Sequence, residues 1–268
     1  MQVYRGMDIG TAKPSKETRS RVAYHLIDLV EPKHDMSVAQ FQAAGRQALE
    51  TIESRGRDVV IAGGSGLHMR SLIDPLVFEG TDADLRTVLE STPTHDLVSE
   101  LTAADADAAS VVDLANRRRV VRAVEILRLS GRTPTQRHFT KEATAVREYE
   151  PIDPIVLVGV DPGDAIEARV AARCQAMFAA GLLEEVRSLQ GKLGRAAAQA
   201  VGYKELVPVI EGRSTPAEGL EYVVRATLAL VKQQRTYFRR DPRVRWLVWH
   251  NDRERRWSAL CELLESAE

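Results

Sequence analysis

Residues 58–62, Asp58-Val-Val-Ile-Ala62, run straight into Gly63-Gly-Ser-Gly66, and a helical pattern follows over 67–73. A β-branched run of this kind suits a strand covered on both faces, and a glycine turn that opens a helix carries the chain back across the sheet. No other feature limits the fold as much, because parallel sheets are built from this unit. A second unit precedes it. Residues 24–30 read as a short strand closed by Glu31-Pro32, and Ser37 reads as the N-cap of a helix reaching residue 55.

From residue 81 to 148 strand signals stop and helical pieces replace them, at 84–90, 94–103 and 116–129. Strands return at 155–160 and 244–249. Between them helices are expected at 165–180, at 182–190 and after Gly219. The expected class is α/β, a parallel sheet with helices on both faces. The expected organisation is a core over 1–80, a helical inserted lobe over 81–113, and the core continued with basic C-terminal helices over 114–268.

With 44% hydrophobic and 28% charged residues, the 268-residue chain can bury a substantial core, which excludes a disordered protein. Cys174 and Cys261 match no metal or disulfide spacing, as expected of idle thiols in a reducing compartment. Neither a signal peptide nor an apolar run long enough to span a membrane is present, so a soluble cytoplasmic protein is expected.

Net charge is -1, but the cations are gathered. Arg225, Lys232, Arg235 and Arg239 fall within roughly 80° of one another on a helical wheel, beside an apolar stripe of Val223, Val224, Leu228, Val231 and Phe238. Between Arg225 and Arg245 seven basic residues face one acid, Asp241. A solvated helix face would account for one such stripe. A second cluster, Arg117-Arg-Arg-Val-Val-Arg122, shifts the balance towards a polyanion-binding surface. Tyr203, Tyr237 and Phe238 lie near these cations and read either as base-stacking groups or as core.

The turn 63–66 can present backbone N–H groups to an anion, and reads equally as a structural turn. Leu67-His68 follows it, so it is not a Walker A loop, and no such loop occurs elsewhere in the chain. The six histidines show no metal-ligand spacing.

Six segments, in order and spanning nearly the whole chain, resemble the tRNA dimethylallyltransferases, also called tRNA isopentenyltransferases. They are Met1-Gln-Val-Tyr-Arg-Gly-Met-Asp-Ile-Gly-Thr-Ala-Lys-Pro14, His25-Leu-Ile-Asp28, Gly63-Gly-Ser-Gly-Leu67, Arg118-Arg-Val-Val-Arg-Ala-Val-Glu125, Ala200-Val-Gly-Tyr-Lys204 and Lys232-Gln-Gln-Arg-Thr-Tyr-Phe-Arg-Arg-Asp241. Departures from the family pattern are Tyr24 for the first histidine of the second motif, His68 for a tyrosine, and Arg118 for a glutamine. The first motif lacks its two leading residues. In the family a strand, a P-loop, a helix and a strand ending in Asp-Ser precede it. The resemblance therefore implies a P-loop-NTPase-like core whose first β-α-β is absent here, through a misplaced start codon or a truncated gene. The isolated chain is then expected to expose apolar sheet edges, to be poorly soluble or partly molten, and to be impaired in activity.

The implied reaction transfers a dimethylallyl group from dimethylallyl diphosphate to N6 of adenosine 37 in the tRNA anticodon stem-loop. It implies Mg²⁺ at the diphosphate and a monomeric enzyme. Ser65 is the implied catalytic residue within the chain, with the general-base Asp and the P-loop lying upstream. Met1, Gln2, Arg86, Arg118, Arg119, Arg122, Gln199, Gly202, Tyr203, Lys204, Lys232, Gln234, Arg235 and Arg239 are the implied tRNA contacts. Asp8, Thr11 and Lys13 are assigned to the diphosphate side. Arg169 and Arg173 either join them or form salt bridges with Glu167 or Glu184. Two alternatives stand beside this reading: a non-catalytic tRNA-binding remnant, and an adenylate isopentenyltransferase acting on free nucleotide.

Overall fold

The computed structural model describes residues 1–266. In chain order its helices begin with α1 (Lys16–Arg21), α2 (Val38–Glu53), α3 (Gly66–Ile73), α4 (Ala83–Ser91), α5 (Thr94–Ala104) and α6 (Ala108–Val111). Then come α7 (Arg117–Ser130), α8 (Pro134–His138), α9 (Lys141–Glu148), strand β1 (Leu157–Val160), α10 (Ile166–Ala179) and α11 (Leu182–Leu189). The chain ends with α12 (Val207–Ile210), α13 (Pro216–Phe238), strand β2 (Val244–Leu247) and α14 (Arg253–Glu265). None of these helices is long and apolar enough to cross a membrane.

Two compact units divide the chain. One comprises 1–72 and 155–268, and the other comprises 73–154. The inserted helical unit is thus wider than the 81–113 expected, and α7 falls within it. The reason is packing: Val120, Val121, Ala123 and Val124 of α7 share one buried cluster with Leu89 of α4 and with Leu97 and Leu101 of α5. A helix that lends its apolar face to its neighbours belongs to their core.

In the larger unit β1 and β2 pair in parallel, with Leu157 opposite Val244 and Val160 opposite Leu247. Its core joins Met7 to Val170 and Cys174 of α10, Leu182 and Val186 of α11, Tyr203, Leu206 and Val223 of α13. The mixed α/β class holds, with a short parallel sheet. Two expected strands do not form. Leu26 and Asp28 take φ of +61° and +55°, values that exclude strand geometry, and only a single parallel bridge between Tyr4 and Val30 survives there. Residues 58–62 find no ladder partner among the described residues, and Val60 is 89% exposed. Apolar side chains can specify a strand, but only a neighbouring backbone can complete one.

Helix boundaries follow capping chemistry. Ser37 caps α2 as expected, and Gln40 completes a capping box with it. On α13, Thr215 caps with Glu218 and Pro216 occupies the first turn, so the helix starts ahead of Gly219.

Candidate active site and nucleic-acid interface

Residues 7–13 form a loop pinned from several sides. The Glu185 carboxylate accepts from three successive peptide N–H groups, those of Asp8 (2.9 Å), Ile9 (2.8 Å) and Gly10 (3.1 Å). It also accepts from the Tyr203 hydroxyl at 2.6 Å. A side chain at Gly10 would overlap the Tyr203 ring, so only glycine lets the two approach. Burial, followed by the Glu185 hydrogen bond, pushes the Tyr203 hydroxyl pKa up and keeps it a donor. Lys13, with a side chain only 2% exposed, donates to the Tyr4 carbonyl (2.5 Å), Asp8 (2.6 Å) and Asp28 (2.6 Å). Asp28 also accepts from Arg19 at 2.9 Å. Burial alone would raise the Asp28 pKa; the bonds from Lys13 and Arg19 outweigh it and leave it lowered.

Beside this loop lies an open cleft of about 590 Å³. Its wall carries four cations, Lys13, Lys16, Arg19 and Arg173, against the carboxylates of Asp8 and Asp28. The excess is positive and suits an anionic ligand. Asp8, Lys13 and Arg173 thus line one cleft, and Lys16 and Arg19 join them. Thr11 and Arg169 do not line the cleft. The Thr11 hydroxyl donates to the Met7 carbonyl. The Arg169 guanidinium lies 4.9 Å from the centre of the Trp249 ring, which Arg256 also approaches at 4.7 Å. Neither Arg169 nor Arg173 pairs with Glu167 or Glu184; among the described residues Glu184 pairs with Arg187.

The glycine turn packs directly on α13. A side chain at Gly64 would strike Gln234, and one at Gly66 would overlap the ring of Tyr237. The exposed Ser65 hydroxyl sits 2.8 Å from His68 Nδ1, and the His68 ring meets Phe41 edge-on. Burial lowers the His68 pKa, which favours a neutral imidazole. Two motifs far apart in sequence, 63–66 and 232–241, therefore build one surface with Ser65 at its edge.

Of the expected RNA contacts in this unit, Met1, Gln199, Lys204 and Lys232 are exposed. Others are already engaged. The Gln2 amide donates to the carbonyls of Thr11 and Ala12. Gly202 is buried with φ +92°, its N–H donating to Glu205. Tyr203 is 1% exposed and belongs to the core, which corrects its assignment to RNA. Arg235 donates to Asp161 at 2.5 Å and to the Gly163 carbonyl, and Arg239 approaches the same carboxylate at 3.5 Å. Burial opposes the ionised form of Asp161, but Arg235 and Arg239 hold its pKa below the usual carboxylate range.

In the helical unit Glu125 is fully buried and receives Arg86 and Arg122, each at 2.6 Å, with the N–H of Asp82 at 3.3 Å. Arg122 also donates to the carbonyls of Glu79 and Gly80. Of these two arginines, assigned to RNA from the sequence, Arg86 ties α4 to α7 and Arg122 ties α7 to the segment ahead of α4. Arg118 and Arg119 stay at the surface, Arg119 with a loose partner in Asp113 at 3.5 Å.

The family model for IPP transferase matches residues 2–241, which include the pinned loop, the glycine turn and α13. The chain belongs to the IPP transferase family. The tRNA dimethylallyltransferase of Bifidobacterium longum subsp. infantis is 37% identical over 251 residues, covering 92% of this chain and 74% of that protein. The tRNA dimethylallyltransferase of Pseudarthrobacter chlorophenolicus is 39% identical over 272 residues, covering 97% of this chain and 87% of its own length. A solved tRNA delta(2)-isopentenylpyrophosphate transferase from Staphylococcus epidermidis superposes with a TM-score of 0.67 at 28% identity, covering 100% of this chain and 89% of that one.

Within this IPP transferase, sequence reading missed two acids that organise the larger unit, Glu185 and Asp161. Each collects donors remote in sequence, so no local pattern marks it. Lys16 and Arg19 carried a readable signal, two cations one turn after the loop motif with Ser15 as an N-cap.

Proposed function

We propose that this chain transfers a dimethylallyl group from dimethylallyl diphosphate to N6 of adenosine 37 in tRNA. The observation that supports it most is the cationic cleft beside the 7–13 loop, in a member of the IPP transferase family. In the reaction the N6 lone pair forms a bond to the allylic C1 while the C1–O bond breaks. The diphosphate leaves with that electron pair, and N6 gives up a proton. Negative charge grows on the leaving group, and we assign its uptake to Arg173, Lys16 and Arg19, which line the cleft. Lys13 contributes from beneath, since its ammonium is already shared by three acceptors. The adenine must leave its stack to reach this chemistry. The turn at Ser65 packed on α13, with exposed Lys232 on the same helix, is our assignment for the face that receives it.

No group of three or more His, Cys, Asp or Glu that could hold a metal ion occurs among the described residues. Asp8, 59% exposed at the cleft, is the carboxylate available to a cation there, so Mg²⁺ would be held chiefly by diphosphate oxygens and water. Mg²⁺ supplies further neutralisation of the leaving group when bound. We place the enzyme in the cytoplasm, a reading in keeping with its two free thiols, and take it to act as a monomer.

The test is transfer of labelled dimethylallyl from its diphosphate to an anticodon stem-loop. Expected is label on the RNA, reduced about tenfold or more in R173A. Label on free AMP in place of RNA would move the chain to a nucleotide acceptor. Stem-loop binding without any transfer would make it a non-catalytic RNA-binding protein.

A further inference from the structure

We propose that Glu185, together with Tyr203, is a positioning residue for the diphosphate end of the cleft; the inference rests on the assignment of that cleft to the donor. Three successive peptide N–H groups converging on one point form a concave anion receptor. Here the receptor of Asp8, Ile9 and Gly10 is filled by the protein's own Glu185. The carboxylate does two things. It fixes the backbone of a loop whose Asp8, Ile9, Ala12 and Lys13 form one wall of the cleft. It also withdraws the loop's peptide donors from competition for the substrate, leaving the side chains of Lys16, Arg19 and Arg173 to face the diphosphate.

Tyr203 adds a second tie. Its hydroxyl donates to the same carboxylate, and its ring fills the space that the absent Gly10 side chain leaves. Tyr203 lies between Gln199 and Lys204, both exposed and both on the side assigned to RNA. The motif 200–204 therefore serves the donor cleft through its buried tyrosine, and Glu185 is the joint between the two segments.

The experiment compares wild type, E185Q and Y203F by calorimetric titration with inorganic diphosphate, by titration with an anticodon stem-loop, and by hydrogen exchange of the 8–10 amides. An amide in place of the carboxylate cannot satisfy three donors without presenting its own N–H to them, so E185Q is expected to speed exchange at 8–10. It is expected to weaken diphosphate binding about tenfold and to change stem-loop affinity by less than about twofold. Y203F leaves the carboxylate on the loop and gives a change of about threefold in the same direction, which covers the case of a poorly folding E185Q. The proposal is overturned if diphosphate affinity is unchanged in both variants while wild type binds it. It is also overturned if both ligands weaken in step with a lowered melting temperature, the mark of a purely structural role. Failure of wild type to bind diphosphate at all would instead remove the assignment of the cleft, and the inference with it.

Discussion

Asp161 shows how single acids set the chemistry of this chain. Its carboxylate holds Arg235 and Arg239, and its pKa is depressed despite burial. A depressed folded value means the bond stabilises the protein above the unfolded pKa of about 3.9 and that this contribution fades as pH falls below it. D161N is therefore expected to destabilise the chain by about 1–3 kcal/mol at neutral pH, with a smaller gap at about pH 3, part-way through the loss. Urea denaturation at the two pH values would measure it, and an equal gap at both would contradict the ion-pair account. At Gly66 the limit is steric. G66A drives a methyl group into Tyr237, and overpacking of this kind costs about 1–3 kcal/mol. Transfer activity is expected to drop with it, because the displaced element carries Ser65; a G66A protein with unaltered kinetics would separate the turn from the site.

At the scale of elements, α7 illustrates the distance between a charge pattern and its use. The cluster 117–122 looks like one cationic face. Yet Arg117 donates to Thr94 and to the carbonyls of Glu90 and Thr92, and Arg122 grips Glu125, so only part of the cluster faces solvent. Removing the buried partner leaves two arginines uncompensated. E125Q is expected to destabilise the helical unit on the order of 3–5 kcal/mol, seen as an earlier unfolding transition and weaker exchange protection over 117–130. What could be read from sequence were the elements defined locally, through caps and apolar periodicity, as at α2, α5 and α7. The strands at 24–30 and 58–62 could not, because a strand depends on a partner that its own residues do not encode. The same reasoning covers the site. Cations standing in one helical stripe, such as Lys232 and Arg235, are equal on paper, and only a remote acid such as Asp161 separates the free one from the paired one.

For the whole molecule, a net charge of -1 conceals a local excess of cations, and binding to RNA should report that excess through salt. K232A is expected to weaken stem-loop binding and to flatten the plot of log affinity against log salt by about 0.7–0.9 for each phosphate that the lysine neutralises. R235A should instead lower stability while changing the slope little, since its guanidinium is already on Asp161. Equal slope changes in both variants would mean that the ion pair opens when RNA binds.

Trp249, approached by the guanidinium groups of Arg169 and Arg256, gives the protein an intrinsic optical gauge. Arg169 stands one helical turn from Arg173 on α10, so an anion that pulled this helix's cations towards the cleft would draw one of them away from the indole. Fluorescence emission would then follow donor capture in an unlabelled solution, and a W249F protein would stay dark to the same titration.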